Sequence, residues 1–156
     1  MSLELVRAWL ADHAPDLPLI EVEESTATVA TAQALGVEPG RIAKSLAVRA
    51  GDHVFLLVTR GDARLDNRKC KDEFGARPRM LGPDETFELT GHPVGGVCPF
   101  GLKTALPVYL DASLNAFDIV YPAGGSLNAS VEVSPDRLFG LVGDRWVDLC
   151  RQPEDA

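Results

Sequence analysis

The sequence has few cysteines and histidines, and none of them occurs in a recognisable ligand spacing. Its 156 residues include three cysteines, Cys70, Cys98 and Cys150, with no CxxC pair and no histidine spaced for zinc. Their odd number and wide separation argue against a disulfide scaffold and a structural zinc site. We therefore expect no metal and no other cofactor.

Long apolar runs and an excess of basic charge are also missing. The chain has no apolar run of about 18 residues, the length of a membrane span, and no secretory leader pattern. These absences predict a soluble, cytoplasmic protein without a membrane partner. The formal net charge of −8 argues against a protein that coats DNA, since such binding needs a broad basic surface. A small nucleic-acid contact remains compatible with this charge.

What is present is the patterning of one globular domain, which we place at residues 1–156. Apolar residues make up 46% of the chain, enough to bury a core. Helical spacing follows the N-terminus, Pro83 and Pro135, while alternating or apolar stretches predict strands at 19–23, 42–49, 54–59, 77–81, 107–111, 117–121, 130–133 and 146–149. We predict an α/β (α+β) fold with a mixed, mostly antiparallel sheet of about six or seven strands and several short helices.

Turn and capping residues mark the ends of several predicted elements. Ser25 or Thr26 is placed to begin a helix that Gly36 ends, and 50–53 reads as a hairpin turn. Asp66 or Asn67 is placed to cap a short basic helix ending at Gly75.

A glycine-rich segment at 94–101 is the most unusual stretch of the chain. It carries Gly95, Gly96 and Gly101 together with Pro99, residues that let a ligand approach the backbone and its N–H groups closely. The alternative interpretation is a tight, bulged connection between two strands.

Lys44 is unusual for its neighbours, because it lies among small and apolar residues at the start of a predicted core strand. Buried lysines seldom occur without a partner. The functional interpretation is a cation beside a pocket, suited to a phosphate or a developing negative charge. The alternative is a strand-end lysine whose ammonium reaches solvent.

Basic residues are concentrated between 60 and 79, where seven of the fifteen lie. The run predicts a phosphate-contacting patch or, alternatively, the solvated face of a helix. The candidate tRNA contacts within it are Arg60, Arg64, Arg68, Lys69 and Lys71.

Three strings, in this order and spacing, resemble the YbaK/prolyl-tRNA synthetase-associated domain family. They are Gly40-Arg41-Ile42-Ala43-Lys44-Ser45-Leu46, Gly95-Gly96-Val97-Cys98-Pro99-Phe100-Gly101, and Gly124-Gly125-Ser126-Leu127-Asn128 followed by Glu132-Val133-Ser134-Pro135. The resemblance covers about residues 19–149. It implies a strongly curved sheet and an editing domain that hydrolyses amino acids wrongly attached to tRNA, chiefly the proline tRNA.

The resemblance also implies roles for individual residues. Lys44 would be the essential lysine and Gly101 the glycine that turns backbone amides towards the substrate. Candidate substrate contacts, including residues that we expect to shape the pocket, are Gly95, Gly96, Val97, Cys98, Pro99, Phe100, Asn128 and Ser130. The implied partners are a mischarged tRNA, with the proline tRNA as first candidate, and prolyl-tRNA synthetase as a second. The reaction is the hydrolysis of an aminoacyl ester, in which the neighbouring ribose hydroxyl helps to activate water.

The sequence departs from the family pattern at two places. Cysteine-specific members have an early tyrosine and a late aspartate, whereas this chain has only Tyr109 and Tyr121 and carries Ser130 at the late position. This favours alanine or serine over cysteine as the amino acid removed. The second departure is Cys98, where relatives often have serine. His92 precedes it by six residues, which raises the alternative of a thiol hydrolase, although we favour a small neutral pocket residue.

Two functional interpretations therefore remain. The favoured one is a trans-editing aminoacyl-tRNA deacylase. The other is a non-catalytic module of the same fold that binds tRNA ends or a synthetase.

Overall fold

The computed structural model describes residues 2–21, 32, 34–93, 97–125 and 129–151. Its helices are α1 (Ser2–His13), α2 (Asn67–Phe74), α3 (Pro83–Thr90) and α4 (Pro135–Val142), with 3-10 turns at Pro39–Arg41 and Ala112–Ala116. Its strands are β1 (Leu19–Glu21), β2 (Ala43–Ala50), β3 (His53–Arg60), β4 (Arg64–Leu65), β5 (Pro78–Met80), β6 (Val108–Asp111), β7 (Ala129–Val131), β8 (Arg145–Val147) and β9 (Cys150–Arg151).

The β2–β3 hairpin forms the centre of the fold. Its eight register pairs run from Ala43 opposite Arg60 to Ala50 opposite His53, and Gly51 in the turn has φ +63°. The main sheet has the order β5-β2-β3-β6-β8, antiparallel on the β5 side and parallel on the β6 side. The predicted mixed α/β class is confirmed, with the strands divided among this sheet and the pairs β1–β7 and β4–β9.

The predicted helix caps form where their residue types indicated. The Asp66 side chain accepts a hydrogen bond from the Lys69 N–H and begins α2, and Gly75 ends it with φ 75°. Gly36 has φ 73°, the left-handed conformation that ends a helix. Most of the helix predicted before Gly36 lies outside the described residues.

Two strand predictions need correction. Residues 117–121 are not a strand: Val120 makes one isolated bridge to Val133, and a 3-10 turn precedes them. The Asp111 carboxylate begins that turn by accepting from the Ser113 N–H, which diverts the chain from the sheet. Of the stretch 146–149, only Trp146 and Val147 are strand, as the end of β8, and residues 148–149 connect β8 to β9, which begins at Cys150.

The main sheet has an apolar cluster on each face. The first core cluster contains Val6 and Leu10 of α1, Leu138 of α4, and Cys98 and Phe100 of the glycine-rich segment. The second core cluster lies on the α2 side and includes Val48, Phe55, Leu57, Cys70, Leu149 and Cys150. Because successive strand residues face opposite sides, β2 contributes alternate residues to both clusters.

Candidate functional site

Lys44 lies near the start of β2, opposite Thr59 in the register with β3. Its side chain shares the face of Leu46 and Val48, which is the face of the second core cluster. The ammonium donates a hydrogen bond to the Ala63 carbonyl. Burial lowers the pKa of Lys44, with Cys150 and Asp62 acting in the opposite direction. Lys44 is thus a half-buried cation that forms no ion pair within the described part of the chain.

The described part of the glycine-rich segment is held against the first core cluster. Cys98, Pro99 and Phe100 are buried, whereas Gly95 and Gly96 lie outside the described residues. The fully buried His92 places its Nε2 atom 2.8 Å from the Phe100 carbonyl oxygen. Since a carbonyl can only accept, His92 donates from Nε2. This hydrogen bond fixes the turn that leads into Gly101.

The structure brings His92 and Cys98 together, which the sequence spacing could not predict. The Cys98 Sγ lies 3.6 Å from the His92 Nε2 and 3.8 Å from the Phe100 carbonyl oxygen. Burial raises the pKa of Cys98 to about 12, and hydrogen bonds to the backbone of Phe100 and Gly125 offset this only in part. Burial also lowers the pKa of His92. A protonated thiol beside a neutral imidazole is a poor nucleophile, so the geometry favours a neutral packing role for Cys98.

Gly101 has a structural reason for being glycine that involves helix α1. Its φ is +64°, and an added Cβ would lie 3.3 Å from the Leu5 carbonyl oxygen and 3.6 Å from the Trp9 Cβ. Both the backbone conformation and the contact with α1 therefore favour glycine. Its predicted catalytic role stays a prediction.

The late glycine turn adjoins the glycine-rich segment. Gly125, with φ +93°, belongs to the backbone that contacts Cys98. The Gly124 N–H donates to the Ala129 carbonyl over 2.7 Å, and Ser130 is buried with Ala123 as its bridge partner. The structure thus unites two of the three sequence strings. Asn128 lies outside the described residues.

Ser45 is a polar residue whose role the sequence did not reveal. It follows Lys44 and therefore shares the opposite face of β2 with Ala43 and Ala47 of the first core cluster. Its Oγ atom is buried and has no hydrogen-bond partner among the residues that the structure describes. An unpaired buried hydroxyl costs free energy, which makes Ser45 a candidate for contacting a ligand. Its small, ordinary side chain carried no sequence signal for such a role.

The structure places the predicted site residues in two neighbouring regions. Val97, Cys98, Phe100 and the turn before Ser130 lie on the face of the first core cluster. The Lys44 ammonium lies on the other face, beside Ala63. Lys44 and Ser45 are consecutive, so β2 is the element that links the two regions.

The five candidate tRNA contacts fall into two groups. Arg60 makes a bidentate ion pair with Asp62, at 2.6 and 2.9 Å, and lies over the Phe117 ring. Lys69 binds the Asp148 carboxylate at 2.9 Å and the Cys150 carbonyl at 2.8 Å. These two cations have structural partners. The remaining three are exposed and form no ion pair among the described residues: Arg64, Arg68 and Lys71.

The described ranges contain no group of three or more histidine, cysteine or acidic residues placed to hold a metal ion. In those ranges no helix combines the length and apolar character needed to cross a membrane.

Comparison with known proteins identifies the family. The model of the aminoacyl-tRNA editing domain matches residues 23–141. This chain therefore belongs to the aminoacyl-tRNA editing domain family, and the resemblance seen in the sequence is confirmed.

Several relatives share this domain. The chain is 45% identical to "Uncharacterized protein YwhH" of Bacillus subtilis (strain 168), covering 99% of this chain and 100% of that protein. It is 26% identical to "Putative Cys-tRNA(Pro)/Cys-tRNA(Cys) deacylase EbsC" of Enterococcus faecalis (strain ATCC 700802 / V583), covering 81% and 79%. A crystal structure of "a putative trans-editing enzyme for prolyl tRNA synthetase" matches with a TM-score of 0.88 and 36% identity, over 96% of this chain and 97% of that one.

The same domain occurs within larger enzymes. The proline–tRNA ligase of Halalkalibacterium halodurans is 35% identical over 95% of this chain. The matched region is only 27% of that ligase. This chain therefore corresponds to a part of the ligase and not to its whole length.

Proposed function

We propose that this chain is a trans-editing deacylase that releases a small, wrongly attached amino acid from the proline tRNA. Membership of the editing-domain family supports this reaction class. The observation that carries the proposal is Lys44, a half-buried ammonium that donates to the Ala63 carbonyl and forms no ion pair among the described residues.

The environment of Lys44 is suited to an anion. Desolvating an ammonium without a carboxylate partner is costly, and here burial lowers the pKa of Lys44. A phosphate or ribose oxygen arriving with the substrate would supply the missing partner. Lys44 would then anchor the 3′ end of the tRNA, and its neighbour Ser45 would face the segment that receives the amino acid.

The reaction requires positioning more than a protein nucleophile. Water attacks the aminoacyl carbonyl, an oxyanion forms, and the ester bond to the ribose oxygen then breaks. The ribose oxygen takes the proton, which leaves a free amino acid and an uncharged tRNA. Backbone N–H groups of the segment containing Gly95, Gly96, Val97 and Gly101 would stabilise the oxyanion. Orientation of this kind can contribute several kcal/mol without a covalent intermediate.

The amino acid would be small. Phe100, Cys98 and Pro99 are buried, so they would form a closed wall, and Ser130 with Asn128 would add polar groups. We propose alanine or serine as the preferred residue, with cysteine as the third candidate. Cys98 would act through its size, because burial raises its thiol pKa to about 12.

The proposed partners follow from this activity. The proline tRNA would be the substrate, and prolyl-tRNA synthetase would be either its source or a docking partner. Charging of tRNA takes place in the cytoplasm, where we place this protein. The net charge of −8 predicts weak tRNA binding that falls further with salt.

The experiment that tests the proposal measures release of label from proline tRNA charged separately with alanine, serine, cysteine and proline. Wild type is expected to release one non-cognate amino acid rapidly. Lys44→Ala should reduce the rate about 100-fold, since the loss of an anchoring group misplaces the ester. Lys103→Ala removes an exposed lysine and should leave the rate unchanged.

Folding of both variants is checked by thermal unfolding. A folded Lys44→Ala variant that edits at the wild-type rate would contradict the enzymatic role of Lys44. Binding of tRNA without release of any of the four amino acids would instead support a non-catalytic module.

A further inference from the structure

The structure contains two places where an arginine lies directly opposite another arginine in a strand register. Arg49 is opposite Arg79 across β2 and β5, and Arg64 is opposite Arg151 across β4 and β9. Like charges at such positions destabilise a sheet, because their Cβ atoms lie only about 5 Å apart. A nearby anion would therefore stabilise each pair.

The first pair has its anion within the chain. The Arg49 guanidinium binds the Glu85 carboxylate at 2.8 Å. Within the described part of the chain, neither Arg64 nor Arg151 forms a hydrogen bond or ion pair through its guanidinium, and both are exposed. The second pair thus has no ion-pair partner among these residues.

Nearby carboxylates are already engaged. Asp62 is held by Arg60, Asp148 by Lys69, and Asp66 accepts from the Lys69 N–H at the start of α2. Asp66 still lies close enough for Arg151 to influence its pKa. Its separation from that guanidinium nevertheless exceeds an ion-pair distance.

The orientation of the β4–β9 pair directs both arginines outwards. Leu65 lies opposite Cys150 in the same register, and both contact the second core cluster. Because side chains alternate along a strand, Arg64 and Arg151 share the other, exposed face.

Lys44 lies beside both strands of this pair. Its ammonium donates to the carbonyl of Ala63, the residue before Arg64. It is also close enough to Cys150, the residue before Arg151, for each group to influence the pKa of the other. Arg64 is also close enough to lower the pKa of Lys44, so the ammonium of β2 and the guanidinium of β4 are neighbours.

We propose that Arg64 and Arg151 form a phosphodiester-binding site, continuous with Lys44, for the single-stranded 3′ end of the tRNA. Arginine presents a planar fork that matches phosphate oxygens. A backbone phosphate between the two guanidinium groups would relieve their repulsion and lead the terminal nucleotide towards Lys44. The identity of this ligand rests on the proposed function, whereas the anion site rests on the arginine geometry.

The test uses Arg64→Gln, Arg151→Gln and the matched control Arg79→Gln, which alters the pair already balanced by Glu85. Binding of uncharged proline tRNA is measured by fluorescence anisotropy over a range of KCl concentrations. Both site variants should weaken binding and reduce the slope of log affinity against log salt by about 0.7 to 0.9 for each arginine. Their melting temperatures should equal or exceed that of wild type, because a repulsion has been removed.

Unchanged affinity and slope in Arg64→Gln and Arg151→Gln would overturn the proposal, as would an equal decrease in Arg79→Gln. Inorganic phosphate provides a separate arm. Thermal stabilisation by phosphate that both variants lose, combined with an unchanged tRNA slope, would assign the site to a free phosphate and also reject the tRNA proposal.

This result is independent of catalysis, because the tRNA is uncharged. If wild type and Lys44→Ala release amino acids equally but the arginine variants lose salt slope, the enzymatic proposal fails and the binding site stands. If Lys44→Ala abolishes release while the arginine variants bind normally, the reverse holds.

Discussion

The two faces of β2 have different environments, and the consecutive residues Ser45 and Lys44 lie one on each face. On the Ser45 face, the glycine-rich segment is held by neutral, buried groups, with His92 donating to Phe100. On the Lys44 face, the ammonium lies beside Ala63, next to the short β4–β9 pair with its two exposed arginines. Neutral polar groups can be buried at small cost when they are hydrogen-bonded. Charged groups without a partner stay near solvent or bind a counter-ion. This comparison supports the proposals that one region shapes a pocket and that the other binds an anion.

The largest loss of stability is expected from removing the hydrogen bond between His92 and the Phe100 carbonyl, which holds the glycine-rich segment. His92→Ala should lower the free energy of unfolding by about 3 kcal/mol, through the lost packing and the lost hydrogen bond to the Phe100 carbonyl. The control His53→Ala, at an exposed strand end, should cost less than about 1 kcal/mol. Urea unfolding measures both values, and equal losses would show that His92 has no special role.

Alkaline titration tests whether the Cys98 thiol of the same segment is protonated in the folded protein. Since the folded pKa of Cys98 is about 12 and the ordinary pKa of a cysteine is 9.0, its stabilising contribution is complete below pH 9 and is lost as pH rises towards 12. In that interval the unfolded state binds fewer protons, so stability falls by up to about 1.4 kcal/mol per pH unit for this thiol.

Cys98→Ala should therefore show a shallower loss of stability than wild type between pH 9 and 11. Urea midpoints at several pH values measure the difference. The variant should also retain deacylation, because the proposed reaction uses no thiolate. Parallel stability curves would refute the raised pKa, and complete loss of activity in a folded variant would favour the thiol hydrolase.

A smaller effect is expected from the junction between the glycine-rich segment and α1. Gly101→Ala places a side chain at φ +64° and 3.3 Å from the Leu5 carbonyl oxygen, which should cost about 1 to 2 kcal/mol. Gly140→Ala is the matched control. Its added Cβ meets nothing within 4 Å, and alanine in a helix should stabilise by up to about 1 kcal/mol. Calorimetry that found the same sign for both would contradict this account of Gly101.

The smallest expected change in stability is at the residue that joins the two faces. Ser45→Ala removes a buried hydroxyl that has no hydrogen-bond partner in the described part of the chain, so stability should stay the same or rise by up to about 1 kcal/mol. If the substrate supplies that partner, deacylation should fall about tenfold, equivalent to one hydrogen bond. Thermal unfolding and label release measure the two quantities, and unchanged activity would exclude Ser45 from substrate contact.

Local features of the fold were predictable because their causes are local. The β2–β3 hairpin, the Asp66 cap and the left-handed Gly75 follow from alternation, a short acceptor side chain and a residue without Cβ. The strand predicted at 117–121 failed because Asp111 begins a 3-10 turn with its own side chain. Alternating apolar residues could not reveal that competing hydrogen bond.

The candidate site was predictable in its residue types and less so in its arrangement. Lys44 stood out as a cation among apolar residues, and its family string places it in the aminoacyl-tRNA editing domain. The run at 60–79 indicated the basic character of Arg64, but its partner Arg151 lies far away in sequence. The roles inferred for Ser45 and His92 likewise depend on which groups lie near them in space, and no sequence pattern shows this.

Residue order and composition thus determined the family, the mixed α/β class, the caps and turns, and the presence of an isolated lysine. The class, the caps and the turns arise from backbone preferences and from apolar periodicity within short segments. The tertiary structure alone decided that Cys98 lies beside His92, that Lys44 and Ser45 serve opposite faces, and that Arg64 meets Arg151. Such pairings depend on sheet register and burial, which join residues through space and set their charges and pKa values.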